Sequence, residues 1–471
     1  MGLDKAKSLL KVKGDDTFLD LACKQVVGLR EKYNRKVRFL IMNSFSTSDD
    51  TMSFIKDKYP SLYPGVEMLQ NKVPKLDATT YGVATCESNP SNVWCPPGHG
   101  DVYAALVGSG RLEELLGEGI RYASVSNSDN LGATMDLKLL SSFVESGAAF
   151  MMEVCERTEN DKKGGHLATR VSDGQLVLRE SAMCAKEDEG SFQDITKHRY
   201  FNTNNLWIDL KQLKALLDAV GGFIPLPMII NKKTVDPKDE NSQKVLQVRG
   251  RDARAPHTCV NKDGAQGRSP RRSQTRPPPP HTRLLYTPPP YTRAQLETAM
   301  GAAIECFPGS TAICVPRTRF APVKKCDDLL LLRSDAYVIT ADFRPMLNPA
   351  CKVAPIVSLD SKKYKLVGQL EAATRNGIPS LVKCQRLTVT GDVHMSRKCV
   401  FEGSVSFNNS SNEPKVSATQ THTRAYCRRG SHSCLSLAAA SGGEVQQHEG
   451  GLDGGARARC AQGDSREDEE H

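Results

Sequence analysis

The chain has 471 residues, 39% of them apolar, enough for two or three domains with full cores and too many for a scaffold that depends on metal or disulfide staples. A net charge of +9 suggests nucleic acid, but ten Arg or Lys stand against Asp252 and Asp263 between Arg249 and Arg293, so that segment alone carries +8 and the remainder only +1. No apolar run approaches the roughly 18–20 residues of a membrane span, and the first residues, MGLDKAKSLLKVKGDD, lack the apolar centre of a secretory leader.

From the start of the chain, Thr17-Phe-Leu-Asp20 reads as an N-cap with an acid three residues on, launching a helix with Phe18, Leu21, Ala22 and Val26 on one face. Val37–Met42 is a buried strand that runs into the polar turn Asn43–Thr47, and Val66–Gln70 is a further strand. The turn-rich loop WCPPGHGD, Trp94–Asp101, feeds a helix from about Val102. Tyr122–Val125 is a short strand ending in Asn127-Ser-Asp129-Asn130, with a helix from Asp136 behind it. Ala148–Val154, Gln175–Arg179 and Phe201–Leu210 follow as strands, and Leu210–Val220 as a helix with leucines on one side. Such alternation predicts an α/β fold with a doubly wound, mostly parallel sheet, Rossmann-like in character.

Residues 249–293 hold nine of the 26 prolines in a basic, poorly apolar setting, which predicts a disordered insertion between two parts of one core, 1–248 and 294–349. A helix is expected at Gln295–Gly301, and Phe320–Asp328 leads into the apolar Leu329–Leu332. Across 350–407 the period changes: Leu381, Leu387, Val393, Cys399 and Val405 stand six apart, a spacing that suits the inward positions of a parallel β-helix. After Asn408 a Ser-, Gly-, Arg- and Gln-rich tail, 408–471, is expected to be disordered. Fifteen cysteines occur singly, without C-x-x-C or H-x-x-x-H spacing, which argues for reduced thiols and a cytoplasmic location.

Several strand ends carry groups suited to phosphate or sugar. Asp129, delivered to a strand's carboxyl end, can hold a hard cation such as Mg²⁺; the same cluster also reads as an Asx-rich turn capping the next helix. Gly98-His99-Gly100 offers backbone N–H groups ahead of a helix, and Phe201–Asn205 concentrates amides that can donate to and accept from hydroxyls; either can equally be a plain turn. Lys7 and Lys324 can make point-charge contacts to phosphate, or be solvated surface lysines.

Taken in order, PPGHGD, SNSDNLGA, Gly164-Gly165, FNTNNLW, QLETAMGAAI and PVKKCDDLLL, together with the late hexads, resemble the UTP–glucose-1-phosphate uridylyltransferase family, the UDP-glucose pyrophosphorylases, from residue 1 to about 248 and from about 294 to 407. The resemblance implies a nucleotidyltransferase α/β core followed by a left-handed parallel β-helix, here truncated, through which homo-oligomers form. It implies the Mg²⁺-dependent, reversible conversion of UTP and glucose 1-phosphate into UDP-glucose and pyrophosphate. By the match, Lys7 would contact the triphosphate, with Ala6 where the family has Pro; Lys324 would bind phosphate from the other side; Asp129 would hold Mg²⁺. Gln70 and the backbone at Gly98–Gly100 would read the uracil, and His99, Asn127, Gly165, Glu180, Asn202 and Asn204 would surround glucose and its phosphate.

The family's glycine-rich loop, LNGGLGT followed by Met-Gly, meets this chain only at Met1-Gly2, so the sequence as written is expected to bind nucleotide poorly and to lack one central strand. Residues 249–293 interrupt the family pattern and the tail after Asn408 leaves it. Two other readings stay open: a UDP-sugar or UDP-N-acetylglucosamine pyrophosphorylase, and a catalytically dead relative that keeps sugar-nucleotide binding.

Overall fold

The computed structural model describes Leu3, residues 5–222, 224–229, 231–236, 242–247, 297–411, 413–416 and 425–427. The basic Pro-rich segment 249–293 lies outside the described residues, as does most of the tail.

Local chemistry sets the first helix, α1 (Phe18–Tyr33), as its sequence predicts: Thr17 Oγ1 accepts the Asp20 N–H at 3.0 Å while Asp20 Oδ2 accepts the Thr17 N–H at 2.9 Å. Strands β1 (Ile41–Asn43) and β2 (Glu67–Leu69) pair in parallel across helix α2 (Ser48–Lys58), a right-handed crossover's usual product.

The central sheet holds β3 (Tyr122–Val125), β4 (Phe150–Glu156), β5 (His166–Thr169), β6 (Leu176–Arg179), β7 (Tyr200–Asp209) and β8 (Thr311–Cys314). Helix α3 (Leu137–Ser146) connects β3 to β4, and helix α4 (Leu210–Val220) follows β7 directly, with Asp209 Oδ1 accepting the Lys211 and Gln212 N–H groups at 2.9 and 3.2 Å. The burial of Leu210, Leu213 and Leu217 is the face its sequence pattern predicts.

Pairing in this sheet is mixed, where the alternation of strands and helices predicted a mostly parallel one. β8 runs parallel to β4, but β7 lies antiparallel to both β4 and β3, and β5 and β6 form an antiparallel hairpin. The reason is the segment between β4 and β7. It carries no helix longer than Glu189–Gln193, so the chain returns in the plane of the sheet, and a return without a crossover helix is antiparallel. The expected helix at Gln295–Gly301 is likewise absent; Glu297–Thr298 is a short strand and Met300–Glu305 a 3₁₀ turn. Met300–Ile304 is buried on all sides, leaving no polar face for an amphipathic helix.

Beyond helix α5 (Cys326–Arg333), β9 (Ile356–Leu359), β10 (Cys384–Thr390) and β11 (Gly403–Asn408) stack in parallel. Leu387 faces Val405, and separate parallel bridges join Asn376 to Ser396 and Ser380 to Val400. All five hexad residues, Leu381, Leu387, Val393, Cys399 and Val405, are buried to 2% exposure or less. The stack continues past the expected boundary at Asn408: Lys415–Val416 pairs in parallel with Val393–His394, and the buried Asn409 Nδ2 donates to Asp392 O and Glu413 O, both at 2.7 Å. A polar asparagine here supplies the hydrogen bonds of a tight corner, which apolar patterning alone does not reveal.

The hexad residues share one core with Val12, Phe18 and Leu21 from the start of the chain. Leu387→Ala is expected to destabilise the protein by about 2–5 kcal/mol, read as a lower denaturation midpoint. A loss under about 1 kcal/mol would mean that this row can collapse around the void and does not bear on the shared core.

Candidate active site

One edge of β7 is shared. β3 pairs with its end, Leu206–Asp209, while β5 touches its beginning at Phe201, so the edge between them is open. The register of β7 against β4 slips between Asn202 and Asn205, and Asn204 sits there at φ +58°. The carboxyl ends of β3 and β8 lie level with this gap, which β4 passes at Glu153–Val154, at the end of an open sheet where loops and ligands collect.

Beneath the gap lies a charge in the middle of a strand. Glu153 is 1% exposed within the otherwise apolar run FMMEVC, which the exposed Glu156 ends, and it is fully engaged. Arg319 Nε and Nη2 donate to its two oxygens, both at 2.7 Å, Trp207 Nε1 donates to Oε1 at 2.9 Å, and Asn205 Nδ2 to Oε2 at 3.1 Å. Asn130 also stands on this floor. Its Nδ2 donates to Asn205 Oδ1 at 2.9 Å and Arg319 O at 3.1 Å, and its Oδ1 accepts the Ala321 N–H at 3.0 Å. Sequence reasoning assigned no role to Glu153 or Arg319; the one available signal was an acid in a buried strand, which is rarely tolerated without a partner.

Above the floor, Lys7 Nζ donates to Asp129 Oδ2 at 2.6 Å, joining residues 122 positions apart, with the two side chains 35% and 18% exposed. The loop bearing Asp129 is closed by the Asn130 N–H on Asn127 O at 3.0 Å. Lys7 opens a short 3₁₀ turn, and the residue before it is tied down by the Ala6 N–H on Asp50 Oδ2 at 3.0 Å. Lys324 is exposed farther along the loop that Asn130 holds at Ala321. Its backbone N–H is bonded to Asp328 at 2.8 Å, and among the described residues no hydrogen bond or ion pair joins it to the Lys7–Asp129 pair.

On one flank, Gly98 takes φ +93°, a conformation side chains disfavour, and a Cβ at Gly100 would collide with Thr298 Oγ1. His99 Nδ1 accepts the Met300 N–H at 3.0 Å, which leaves the proton of a neutral ring on Nε2. Gln70 is held by its backbone N–H on Asn43 O at 2.9 Å, while its buried side-chain Oε1 accepts nothing among the described residues. A buried acceptor without a donor costs roughly 1–3 kcal/mol, so it marks a place where a ligand N–H is welcome. Neighbouring Asn71 donates its backbone N–H to Asp101 Oδ2 at 2.7 Å, which locks this turn to the one after Gly100.

On the other flank, Asn202 donates its backbone N–H to Gly165 O at 3.0 Å and its Nδ2 to Asn204 Oδ1 at 3.0 Å, and the Asn204 N–H returns to Asn202 Oδ1 at 2.9 Å. A Cβ at Gly165 would meet the Glu180 carboxylate, so a side chain there would displace Glu180 from this flank. The expected residues therefore fall into three groups: Gln70, Gly98, His99 and Gly100 by the Asn71–Asp101 and His99–Met300 contacts, Gly165, Glu180, Asn202 and Asn204 at the bulge of β7, and Lys7, Asp129 and Asn127 at the end of β3.

Among the described residues no three His, Cys, Asp or Glu side chains converge as a metal-binding group. A single carboxylate such as Asp129 suits a cation that keeps water and phosphate oxygens as its remaining ligands, the habit of Mg²⁺.

The family model for UTP–glucose-1-phosphate uridylyltransferase matches residues 1–256 and 291–402. The UTP–glucose-1-phosphate uridylyltransferase of Saccharomyces cerevisiae is 34% identical over 407 residues, covering 86% of this chain and 70% of that protein. A UDP-glucose phosphorylase from Trypanosoma brucei superposes with a TM-score of 0.75 at 43% identity, covering 89% of this chain and 80% of the other. A point mutant of Leishmania major UDP-glucose pyrophosphorylase, solved in complex with UDP-glucose, superposes with a TM-score of 0.74 at 45% identity over the same shares. With a matched model over both parts of the core and a relative aligned along most of its length, the chain belongs to the UTP–glucose-1-phosphate uridylyltransferase family.

Proposed function

We propose that the chain is a uridylyltransferase that forms UDP-glucose and pyrophosphate from UTP and glucose 1-phosphate. The observation that carries this reading is the Lys7–Asp129 pair at the gap, a cation and an acid from distant parts of the chain, flanked by an amide-rich wall and a glycine-rich turn.

The chemistry asks little of the protein beyond placement and charge. The phosphate oxygen of glucose 1-phosphate is already anionic and attacks the α-phosphorus of UTP in line, so no general base is required; pyrophosphate leaves on the opposite side. Lys7 lies where an ammonium can offset charge on the triphosphate, and Lys324 reaches phosphate from the other side. Gln70 Oε1, buried without a donor, accepts from the N3–H of uracil, and the backbone at Gly98–Gly100 reads the same ring. His99, Asn127, Gly165, Glu180, Asn202 and Asn204 enclose glucose and its phosphate. Asp129 would hold Mg²⁺, which would offset the negative charge that grows in the transition state.

The domain limits follow the same reading, with one extension: a core of 1–248 and 294–349, an insertion at 249–293, and a left-handed β-helix that starts at 350, runs past 407 to the pairing at Lys415–Val416 and supplies contacts between copies, ahead of the tail. A cytoplasmic location fits fifteen cysteines that occur singly, without the spacing of a disulfide framework. No helix among the described residues is long and apolar enough to cross a membrane.

The first test is UDP-glucose formation from UTP and glucose 1-phosphate with Mg²⁺, by this chain and by one carrying LNGGLGT ahead of Met1. Turnover by either supports the reading, and binding of UDP-glucose with no turnover by both would favour a non-catalytic relative. In the active form, N-acetylglucosamine 1-phosphate should be turned over at least about 100-fold less well, because a wall built to hydrogen-bond hydroxyls discriminates strongly against a changed polar group. Comparable rates would point to the broader sugar class. Lys7→Ala and Asp129→Asn should each lower kcat about 10²- to 10³-fold with smaller changes in KM, the pattern of groups that act on charge developing in the transition state.

A further inference from the structure

We propose that Glu153 and Arg319 are positioning residues for the Asp129 loop, and that their ion pair links the sugar-nucleotide site to the indole of Trp207. The inference rests on the uridylyltransferase reading for its activity test, while its spectroscopic test does not.

The geometry runs in short steps. The guanidinium of Arg319 is aimed by the two Glu153 oxygens, at 2.7 Å each, and its Nη2 also donates to Thr134 O at 3.0 Å, on the far side of the Asp129 loop. With its side chain fixed, the Arg319 backbone presents one carbonyl to two amides, Asn130 Nδ2 at 3.1 Å and Asn205 Nδ2 at 3.2 Å. Asn130 follows Asp129 directly, so its three side-chain hydrogen bonds set where the Asp129 carboxylate meets Lys7. A Cβ at Gly132 would collide with Thr318 O, so the loop and the Thr318–Arg319 backbone are already in contact and have no slack to absorb a shift. Both Glu153 oxygens and the Nε and Nη2 of Arg319 are bonded within this scaffold, so the pair acts through Asn130.

The same carboxylate accepts from Trp207 Nε1 at 2.9 Å and from Asn205 Nδ2 at 3.1 Å, and Asn205 lies in the bulge whose other members, Asn202 and Asn204, line the sugar flank. Trp207 is 1% exposed, and the only other tryptophan is Trp94. A charge or displacement arriving at the bulge or the Asp129 loop therefore reaches an indole whose hydrogen bond ends on the charged group at the centre of the network. Indole emission responds to such a neighbour.

Two measurements test this. In the Trp94→Phe protein, otherwise intact, titration with UDP-glucose should change Trp207 emission saturably; binding detected by calorimetry with no change in emission overturns the link. Among variants, Glu153→Gln and Arg319→Lys keep size and part of the hydrogen bonding, and Glu153→Met with Arg319→Met removes both charges together, a replacement that often leaves stability intact. Each is expected to lower kcat at least tenfold per folded molecule, with KM for UTP changed less than about threefold, and to blunt the Trp207 response. A variant that melts earlier but keeps wild-type kcat per folded molecule shows a structural role alone and overturns the assignment. If the parent protein never turns over glucose 1-phosphate, yet Trp207 responds to UDP-glucose and the response is lost in Glu153→Gln, the uridylyltransferase reading fails and the positioning network stands.

Discussion

A carboxylate sealed inside a β-strand governs this molecule. Moving Glu153 out of water costs several kcal/mol, and only a partner with matching geometry returns it. Arg319 supplies that partner from the loop after β8, so the ion pair joins β4 to this loop beside the apolar cluster of Cys155, Phe201 and Phe320. Trp207 and Asn205 take the remaining acceptor positions. Burying the pair is not an efficient way to gain stability; a methionine pair of similar volume would serve as well. What it supplies is direction, because a planar guanidinium held at two points cannot rotate, and the backbone that carries it is held with it.

The gap in the sheet follows from how the chain returns to β7. An antiparallel strand laid between β3 and β4 leaves one edge to be shared by β3 and the β5–β6 hairpin, and the two do not meet. At the unshared stretch, backbone groups that would join a ladder turn to side-chain amides: Asn202 and Asn204 bond to each other, Thr203 Oγ1 donates to Glu153 O at 2.6 Å, and Asn205 serves the floor. The bulge thus sends alternate residues to different tasks. Asn204 and Asn202 present amides to the flank where a sugar would lie, and Thr203 and Asn205 point to the interior.

Local features were legible from sequence wherever a local rule produces them. The capping box at Thr17, the apolar face of Leu210–Val220 and the hexad row from Leu381 to Val405 are each fixed by near neighbours, and the structure has them. Strand direction was not legible, because periodicity says that β7 is buried and nothing about which way it runs; that depends on whether the connection before it holds a crossover helix. The 3₁₀ turn at Met300–Glu305 escaped for a related reason, since residues buried on every side carry no period. The meeting of Lys7 with Asp129 could come only from resemblance, as no pattern within one segment speaks across 122 residues. Glu153 was legible in principle, as a lone acid in an apolar run, but its partner was not: Arg319 is one arginine among many until the fold selects it.

The position of Lys7 depends on the far end of the chain. Four residues after its 3₁₀ turn, Lys13 turns its ammonium onto the end of helix α5, donating to Ser334 O at 2.5 Å and Tyr337 O at 2.7 Å. Burial pulls this amine's pKa below its ordinary value, with Asp335 opposing, and the converging carbonyls compensate its charge as a helix C-terminus does. Helix α5 is in turn fixed to the parallel stack, through Asp327 Oδ1 accepting the Leu359 N–H at 2.6 Å and Arg333 Nη2 donating both to Lys11 O at 2.8 Å and to Glu371 at 3.1 Å. Val12 and Phe18 bury into the same core as Leu387 and Val405. The segment that carries Lys7 is therefore a short arm rooted in the C-terminal stack, reaching over to Asp129 on the sheet. The lysine is set from two directions, because Val12 and Lys13 tie its segment to that stack while the Ala6 N–H on Asp50 Oδ2 ties it to helix α2, and the Asp129 loop meets the same core through Leu131.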